Sequence, residues 1–447
     1  MICCIYPREG FSISSKKTVK NVPCVFCGCL CDDIALEVEN NRIVKNINGC
    51  SLSKSKFLNH LEDRLLGPAV RINGILVEVS LEKAVAHAAE ALTSARRPLI
   101  YGLSSTENDT HQEAYYLAEL LGGVVDNTSS VCHGTSMIGS QESGDPLGSL
   151  AEVRHRADLV VYWGSNPQFA HPRHISRYIR QPGEYMQNPK KDRKIWVFDV
   201  RSTATSRIAD EFFQIEPGTD LEVISVIRAL VRGHEMDIDR VGGLAIEDLA
   251  KISEAMKSVR YGVFFYGLGL TQSKGQHRNV DAAIRLIQDL NSFTKWVMIP
   301  MRGHFNVAGA NETSTWQTGY PFAVDYSRGY PRYQPGEYSA VDLIRRRETD
   351  VLLNVAADPV AHFPRDALEH LKRIPIINLD PKRNVTSLIA EVNIPTAIAG
   401  IECDGAAVRM DGLPLYLRKI VEPPEGIIPD RDVLKLIIAR LRMVTKR

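Results

Sequence analysis

Leu159-Val160-Val161-Tyr162-Trp163-Gly164-Ser165-Asn166-Pro167 is the stretch that decides the fold of this 447-residue chain. Five apolar residues stop abruptly at Gly-Ser-Asn-Pro, so a short buried strand runs into turn chemistry. The pattern recurs on both sides. Pro98–Leu103, Ile195–Phe198, Val263–Tyr266, Trp296–Ile299, Val351–Val355 and Ile374–Leu379 read as further strands. His111–Leu121, Asp220–Val231, Val280–Leu290 and Asp366–Leu371 read as amphipathic helices between them. Short apolar strands alternating with helices predict an α/β fold with mainly parallel sheets covered by helices. No repeat at a solenoid period and no low-complexity linker interrupts the pattern.

The strand ends are informative in turn. Leu159–Trp163 leads into Gly164, Ser165, Asn166 and Pro167, and Ile195–Phe198 into Asp199, Val200 and Arg201. Val263–Tyr266 leads into Gly267-Leu268-Gly269, and the last two strands lead into Asp358-Pro359 and Asp380-Pro381. Ligands of open α/β sheets sit outside the carboxyl ends of strands. Small residues there admit phosphates, and a carboxylate accepts hydrogen bonds from ribose or guanine. Each turn alone is ordinary turn chemistry. Their repetition points to a large nucleotide-bearing cofactor.

Near the N-terminus, Cys24, Cys27, Cys31 and Cys50 follow the spacing C-x2-C-x3-C-x18-C. Four thiolates are the usual ligand set of an iron–sulfur cluster. A tetrathiolate zinc site is the other reading, although zinc prefers two paired knuckles and Cys50 stands alone. Cys29 lies between ligands, and Cys3 and Cys4 lie in a first-twenty-residue stretch that looks like a loose extension; none of the three is expected to be a ligand. Ile34–Glu39 and Arg42–Val44, joined by Asn40-Asn41, read as a hairpin.

Cys132 is followed directly by His133 in the polar segment Asn127–Ser136. A lone cysteine is ordinarily a small buried hydrophobe. A thiolate is also a soft ligand for a transition metal, and a neighbouring imidazole can shuttle protons. A cysteine hydrolase would pair its Cys with a His distant in sequence, so the metal-ligand reading is preferred. Arg302 follows a strand and opens the loop to Gly309. Any single arginine is usually structural, yet a guanidinium is the natural fork for a small carboxylate.

Bulk properties exclude several classes. Lys plus Arg number 54 against 53 for Asp plus Glu, a net charge of +1, so no nucleic-acid patch is implied. Hydrophobic residues at 44% and charged residues at 24% are ordinary for a globular protein. No apolar run reaches the ~18–20 residues of a membrane span, and no export signal is visible. Nine cysteines, five of them between Cys24 and Cys50, suggest metal binding in a reducing cytoplasm.

With these residues together, the chain resembles the molybdopterin oxidoreductase superfamily, which includes formate dehydrogenases and nitrate reductases, from about Val22 to Glu422. The segments that carry it are Cys24-x-Phe26-Cys27-Gly28-x-x-Cys31-Asp32-Asp33-Ile34, Ser129-Ser130-Val131-Cys132-His133-Gly134, and Arg302-Gly303-x-x-Asn306-Val307-x-Gly309. Asp158 to Pro172 and Asp199 to Ile208 resemble the family's pterin contacts. Within the group, the similarity is greatest to the formylmethanofuran dehydrogenase B subunits.

The resemblance implies a [4Fe-4S] cluster on Cys24, Cys27, Cys31 and Cys50. It implies a tungsten or molybdenum ion held by Cys132 and two molybdopterin guanine dinucleotides. Pterin contacts would come from Gly164, Ser165, Asn166, Pro167, His171, Asp199, Arg201, Thr203, Gly267, Gly269, Asp358 and Asp380. Cys132, His133 and Arg302 would form the catalytic set, reducing CO2 to formate in the first step of methanogenesis from CO2.

The implied domains are 1–70 around the cluster, 71–131 with 303–430, the interleaved 132–302, and a C-terminal helix 431–447; the superfamily's C-terminal barrel is absent. The implied partners are a small barrel-like subunit, an amidohydrolase-like subunit, and polyferredoxin or ferredoxin donors. One departure stands out: where formate dehydrogenases carry a lysine after the fourth cysteine, this chain has Leu52, so Lys54 or Lys56 would have to bridge cluster and pterin. The large subunit of a cytoplasmic formate dehydrogenase is the nearest alternative. A non-catalytic iron–sulfur electron-transfer subunit is an alternative of another class, and a zinc-bearing nucleotide-binding protein a more distant one.

Overall fold

The computed structural model describes residues 16–445, with side chains to Met443, so Cys3 and Cys4 lie outside the described residues. Two sheets dominate. The first has five strands, all parallel, in the spatial order Glu211–Gln214, Lys194–Asp199, Leu159–Trp163, Tyr261–Tyr266, Lys295–Pro300. Taken by chain position that order is 3-2-1-4-5, which puts a topological switch point between Leu159–Trp163 and Tyr261–Tyr266. Both of these strands are buried at every residue. This is why they read as unbroken apolar runs rather than as alternation.

The second sheet has nine strands. Its parallel centre runs Val124–Asn127, Pro98–Gly102, Val351–Val355, Ile376–Leu379, Val392–Ile394. Antiparallel hairpins close both edges: Val324–Asp325 with Arg332–Tyr333, and Ala69–Ile72 with Ile75–Glu78. Helices Leu81–Ser94, Asn108–Leu121 and Asp430–Thr445 pack together over this sheet. The chain is thus a mixed α/β protein with parallel sheets.

Local chemistry explains where the expected boundaries moved. Pro98–Gly102 ends one residue early because Gly102 (φ 115°) and Leu103 (φ 69°) turn left-handed, and a Cβ at Gly102 would meet the Val355 carbonyl. The strand expected at Ile374 begins at Ile376, since Pro375 has no N–H to give the ladder. The helix expected at His111 starts at Asn108, where the Glu107 carboxylate accepts from the Asp109 and Thr110 N–H groups.

Around the cysteines, Lys17–Val22, Ile34–Glu39 and Arg42–Ile47 form an antiparallel sheet followed by helix Ser51–Leu58. The hairpin turns through Asn40 (φ 49°) and Asn41 (φ 60°), the left-handed pair such a tight turn needs. The reading of the first twenty residues as a loose extension needs correction, because Lys17–Val22 is paired to Ile34–Glu39.

Candidate metal and cofactor centre

The cysteine loop folds on itself: the Cys24 N–H donates to the Cys31 carbonyl at 2.9 Å, and the Leu30 N–H to the Cys27 carbonyl at 3.1 Å. Cys50 reaches the loop as the N-cap of Ser51–Leu58, its sulfur accepting from the Ser53 N–H at 3.4 Å. Cys24 and Cys31 are buried, Cys27 and Cys50 partly so. Burial pushes the Cys24 thiol well up, and Cys27, Cys31 and Cys50 add to it, so the four sulfurs share one neighbourhood. Burial pushes Cys31 up to about 11 against the charges of Arg177 and Arg173. No three His, Cys, Asp or Glu side chains among the described residues converge on a single-ion site.

Two arginines brace this loop. Arg173 grips the Asp33 carboxylate at 2.6 Å through Nη2, and Arg177 pairs with Asp32 and Asp33. Arg173 lies just before the wide turn Ile175–Ile179 and Arg177 within it. Cys29, fully enclosed, faces the His174 ring at 3.9 Å. The sequence motif contains Asp32 and Asp33, but nothing in it names their distant partners.

Cys132 closes the short turn Thr128–Val131, and its carbonyl accepts from Gln272 Nε2 at 2.7 Å. Its thiol is pushed up to about 11 by burial, with the Arg302 charge opposing. His133 is fully buried; its Nδ1 meets Ser136 Oγ at 3.0 Å and its Nε2 has no partner. Burial and then the Arg302 charge lower its imidazole to about 3. The structure therefore brings Cys132, His133 and Arg302 within electrostatic reach of one another.

Arg302 is itself held by the cysteine loop. A Cβ at Gly28 would lie 3.3 Å from the Arg302 carbonyl carbon and closer still to its oxygen, and the Gly28 N–H donates to the Gly303 carbonyl at 3.3 Å. His171 Nε2 donates to the Arg302 carbonyl at 2.8 Å. Sequence reasoning placed His171 among cofactor contacts; here its direct partner is this backbone, while its Nδ1 is free of partners.

Two cavities open beside these groups. One of about 510 Å³ lies between the cysteine loop and the segment after Arg302, with Lys56, His60, His304, Lys382 and Arg383 in its wall. Of the two lysines considered for the bridge, Lys56 is in that wall. Lys54 is exposed, and its backbone N–H continues the helix from Cys50. The other cavity, about 340 Å³, sits at the switch point of the five-stranded sheet and gathers Gly164, Asp199 and Gly269 with Asp220 and Lys274. Cβ atoms on Gly267 or Gly269 would fall 2.6 Å from Gly164, so the glycines let two strand-end turns touch. Asp220, which sequence reasoning placed only as a helix start, leaves Oδ2 unpartnered there while Oδ1 accepts from Trp163 Nε1 at 2.8 Å.

The remaining expected contacts are engaged locally. Asn166 Oδ1 accepts from Thr205 Oγ1 at 2.7 Å, Pro167 opens Pro167–Ala170, and Thr203 Oγ1 accepts from the Ser206 N–H at 3.2 Å. Ser165 is buried, and the Arg201 N–H reaches Asp199 Oδ1 at 3.4 Å. In the nine-stranded sheet, Asp358 caps Val385–Ile389 through the Thr386 N–H at 2.9 Å. Asp380 accepts from the Lys382 N–H at 2.8 Å, and burial, with Asp430 and Asp358 nearby, pushes its carboxyl up to about 8.

The profile of the molybdopterin oxidoreductase family matches residues 64–440. The chain is 46% identical over 431 residues to the B subunit of the tungsten-containing formylmethanofuran dehydrogenase 2 of Methanocaldococcus jannaschii, covering 95% of this chain and 99% of that protein. The B subunit of the same name from Methanococcus maripaludis is 44% identical over 427 residues, covering 94% and 98%. In shape, a chain of the formyltransferase/hydrolase complex from Methylorubrum extorquens matches with a TM-score of 0.70 at 22% identity, covering 85% of this chain and 100% of that one, a likeness of fold alone. With a family profile over most of its length and relatives near half identical from end to end, the chain belongs to the molybdopterin oxidoreductase family, among the formylmethanofuran dehydrogenase B subunits.

Proposed function

We propose that this chain is the redox subunit of a formylmethanofuran dehydrogenase, reducing CO2 to formate at a tungsten or molybdenum centre. The observation that carries the reading is the meeting of the Cys132-His133 pair with the sequence-distant Arg302, beside a neighbourhood shared by four cysteine thiols. The donor set fits the implied groups. Cys132 is a part-buried thiol at the end of a turn, and His133 Nε2, His171 Nδ1 and Arg302 Nε are buried polar atoms without partners. Cys24, Cys27, Cys31 and Cys50 would hold a [4Fe-4S] cluster. The spacing favours a cluster over zinc, since Cys50 stands alone rather than in a second paired knuckle.

Two molybdopterin guanine dinucleotides would occupy the large cavities. Lys56, Lys382 and Arg383 would face phosphate in one, and Asp199 and Asp220 would accept from guanine in the other. When bound, the pterin metal supplies two-electron redox chemistry. Arg302 holds the developing carboxylate by a charge-assisted contact. His171 fixes the backbone of that arginine. His133, kept neutral by burial and the Arg302 charge, would orient a proton on its way past the reacting carbon. Electron donors of the ferredoxin or polyferredoxin type, a barrel-like subunit over the pterins and an amidohydrolase-like subunit taking the formate would complete a cytoplasmic complex. The names of the near relatives, each a B subunit of a tungsten-containing formylmethanofuran dehydrogenase, support a tungsten enzyme of several subunits.

Elemental analysis of the anaerobically purified complex tests the reading. About four irons from this chain and one tungsten or molybdenum are expected. Iron without the heavy metal would leave a non-catalytic electron-transfer subunit, and zinc alone would overturn the cluster. Arg302→Ala should abolish CO2 reduction with metal content intact; retained activity would remove the role given to Arg302.

A further inference from the structure

A third cavity, of about 240 Å³, opens beside Arg302 and shares no wall residue with the other two. Met137, Asp145, Glu312, Trp316 and Met410 line it with Arg302. Arg302 is 8% exposed; its Nη2 rests on Met137 Sδ at 3.1 Å and its buried Nε has no partner. Among the described residues no carboxylate stands within ion-pair distance of it. Instead, Asp145 and Glu312 stand off in the same cavity, each with its largest charged influence in Arg302. Asp145 is exposed, Glu312 is half-buried, and Trp316 beside them is 67% exposed. The cavity therefore runs from water to a buried, unpaired guanidinium with two carboxyl groups on the way.

Reduction of CO2 to formate consumes two electrons and one proton. The electrons have a protein route through the cysteine loop; the proton needs one too. We propose that Asp145 and Glu312 are the acid pair that carries the reduction proton from solvent to the Arg302 site, and returns it to water in formate oxidation. In the forward direction, one carboxylic acid releases its O–H proton, which ends on carbon as the C–H of formate together with the two electrons. The carboxylate left behind is reprotonated by water.

The inference rests on CO2 being reduced beside Arg302. The electrostatics agree with the geometry. Desolvation in the cavity raises both carboxyls, the Arg302 charge lowers both, and Asp145 further raises Glu312. Arg409 and Asp411, on the segment that contributes Met410, are bound to each other at 2.8 Å and have no spare charge to offer. No other residue of the wall ionises.

The test uses the complete anaerobic complex with Asp145→Asn, Glu312→Gln and the double substitution. Metal content, the EPR signals of metal and cluster, and the pH profile of kcat in both directions are measured with an artificial electron donor. The double variant is expected to lose about 10²-fold in kcat for CO2 reduction, with unchanged KM for CO2, unchanged EPR signals and a displaced acid limb in formate oxidation. Glu312→Asp, which keeps an acid one methylene shorter, should recover part of the rate. Wild-type kcat and pH profile in the double variant would overturn the proposal, as would a loss confined to KM, which would mark the pair as an entry gate. A wild-type complex without heavy metal or CO2 reduction would instead sink the functional reading on which it rests.

Discussion

Replacing Gly28 by alanine tests whether the cysteine loop and Arg302 work as one joint. The new methyl group would lie 3.1 Å from Met410 Cε, 3.3 Å from the Arg302 carbonyl carbon, and nearer than either to the Arg302 oxygen. The methionine can swing away; the backbone carbonyl cannot. It is already gripped by His171 Nε2 at 2.8 Å, and Gly28 is bonded on both sides, through its N–H to Gly303 and its carbonyl to the Met410 N–H at 3.0 Å. No left-handed conformation is involved, so the effect is one of space alone. Overpacking of this kind costs about 1–3 kcal/mol. The segments must part by more than side-chain adjustment can absorb, and a ~1 Å misplacement of a positioning group costs about 10²-fold in rate. We expect Gly28→Ala to keep its iron and heavy metal, to melt a few degrees lower, and to reduce CO2 about 10²-fold more slowly. Paired measurements of metal content, thermal unfolding and kcat decide it. A variant with wild-type rate and melting would refute the idea that this contact places Arg302.

Two further expectations concern stability. Arg64 and Glu402 form an ion pair at 2.9 Å with side chains 2% and 0% exposed, so Arg64→Met should cost about 3–5 kcal/mol in a urea titration by stranding the carboxylate. Adding Glu402→Leu should recover most of that loss, and failure to do so would mean the pair is more than mutual compensation. Burial holds the fully enclosed Asp126 carboxyl up to about 6, above the 3.8 of an unfolded chain. A raised value means its neutral form contributes fully below pH ~4, and that contribution is lost as pH climbs through about 6. Stability should therefore fall by about 3 kcal/mol across that window, and the Asp126→Asn variant should show a flatter profile; an identical slope would exclude Asp126 as its source.

Strands such as Leu159–Trp163 and Val351–Val355 were legible because a parallel sheet buried on both faces demands unbroken apolar residues. Lys17–Val22 was not, because an edge strand exposing four of its six residues can be written in lysine, threonine and asparagine. Around the candidate site, the grouping of Cys24, Cys27 and Cys31 was readable since they crowd one loop, and that of Gly164, Asp199 and Gly269 since each lies at or just past the carboxyl end of a strand. Their companions were hidden for the opposite reason. Arg173 and Arg177 meet Asp32 and Asp33 only after the chain has built most of a domain between them. Asp145 and Glu312 belong to no motif; only folding sets both against Arg302.

The same physics explains why Arg302, rather than any cysteine, is the structural hinge of the centre. Its side chain is nearly free of protein partners, while its carbonyl is over-determined by His171, by the close approach of Gly28, and by the bond from Gly28 to Gly303. A guanidinium meant to grip a small carboxylate must be left unpaired, and an unpaired buried cation stays in place only if something other than its charge anchors it. Here the anchor is backbone from the loop that carries three of the four clustered cysteines. Fixing the arginine through that loop ties the place where electrons would enter to the place where the carboxylate would form. A distortion of either should then be felt at the other, whichever metal the site takes.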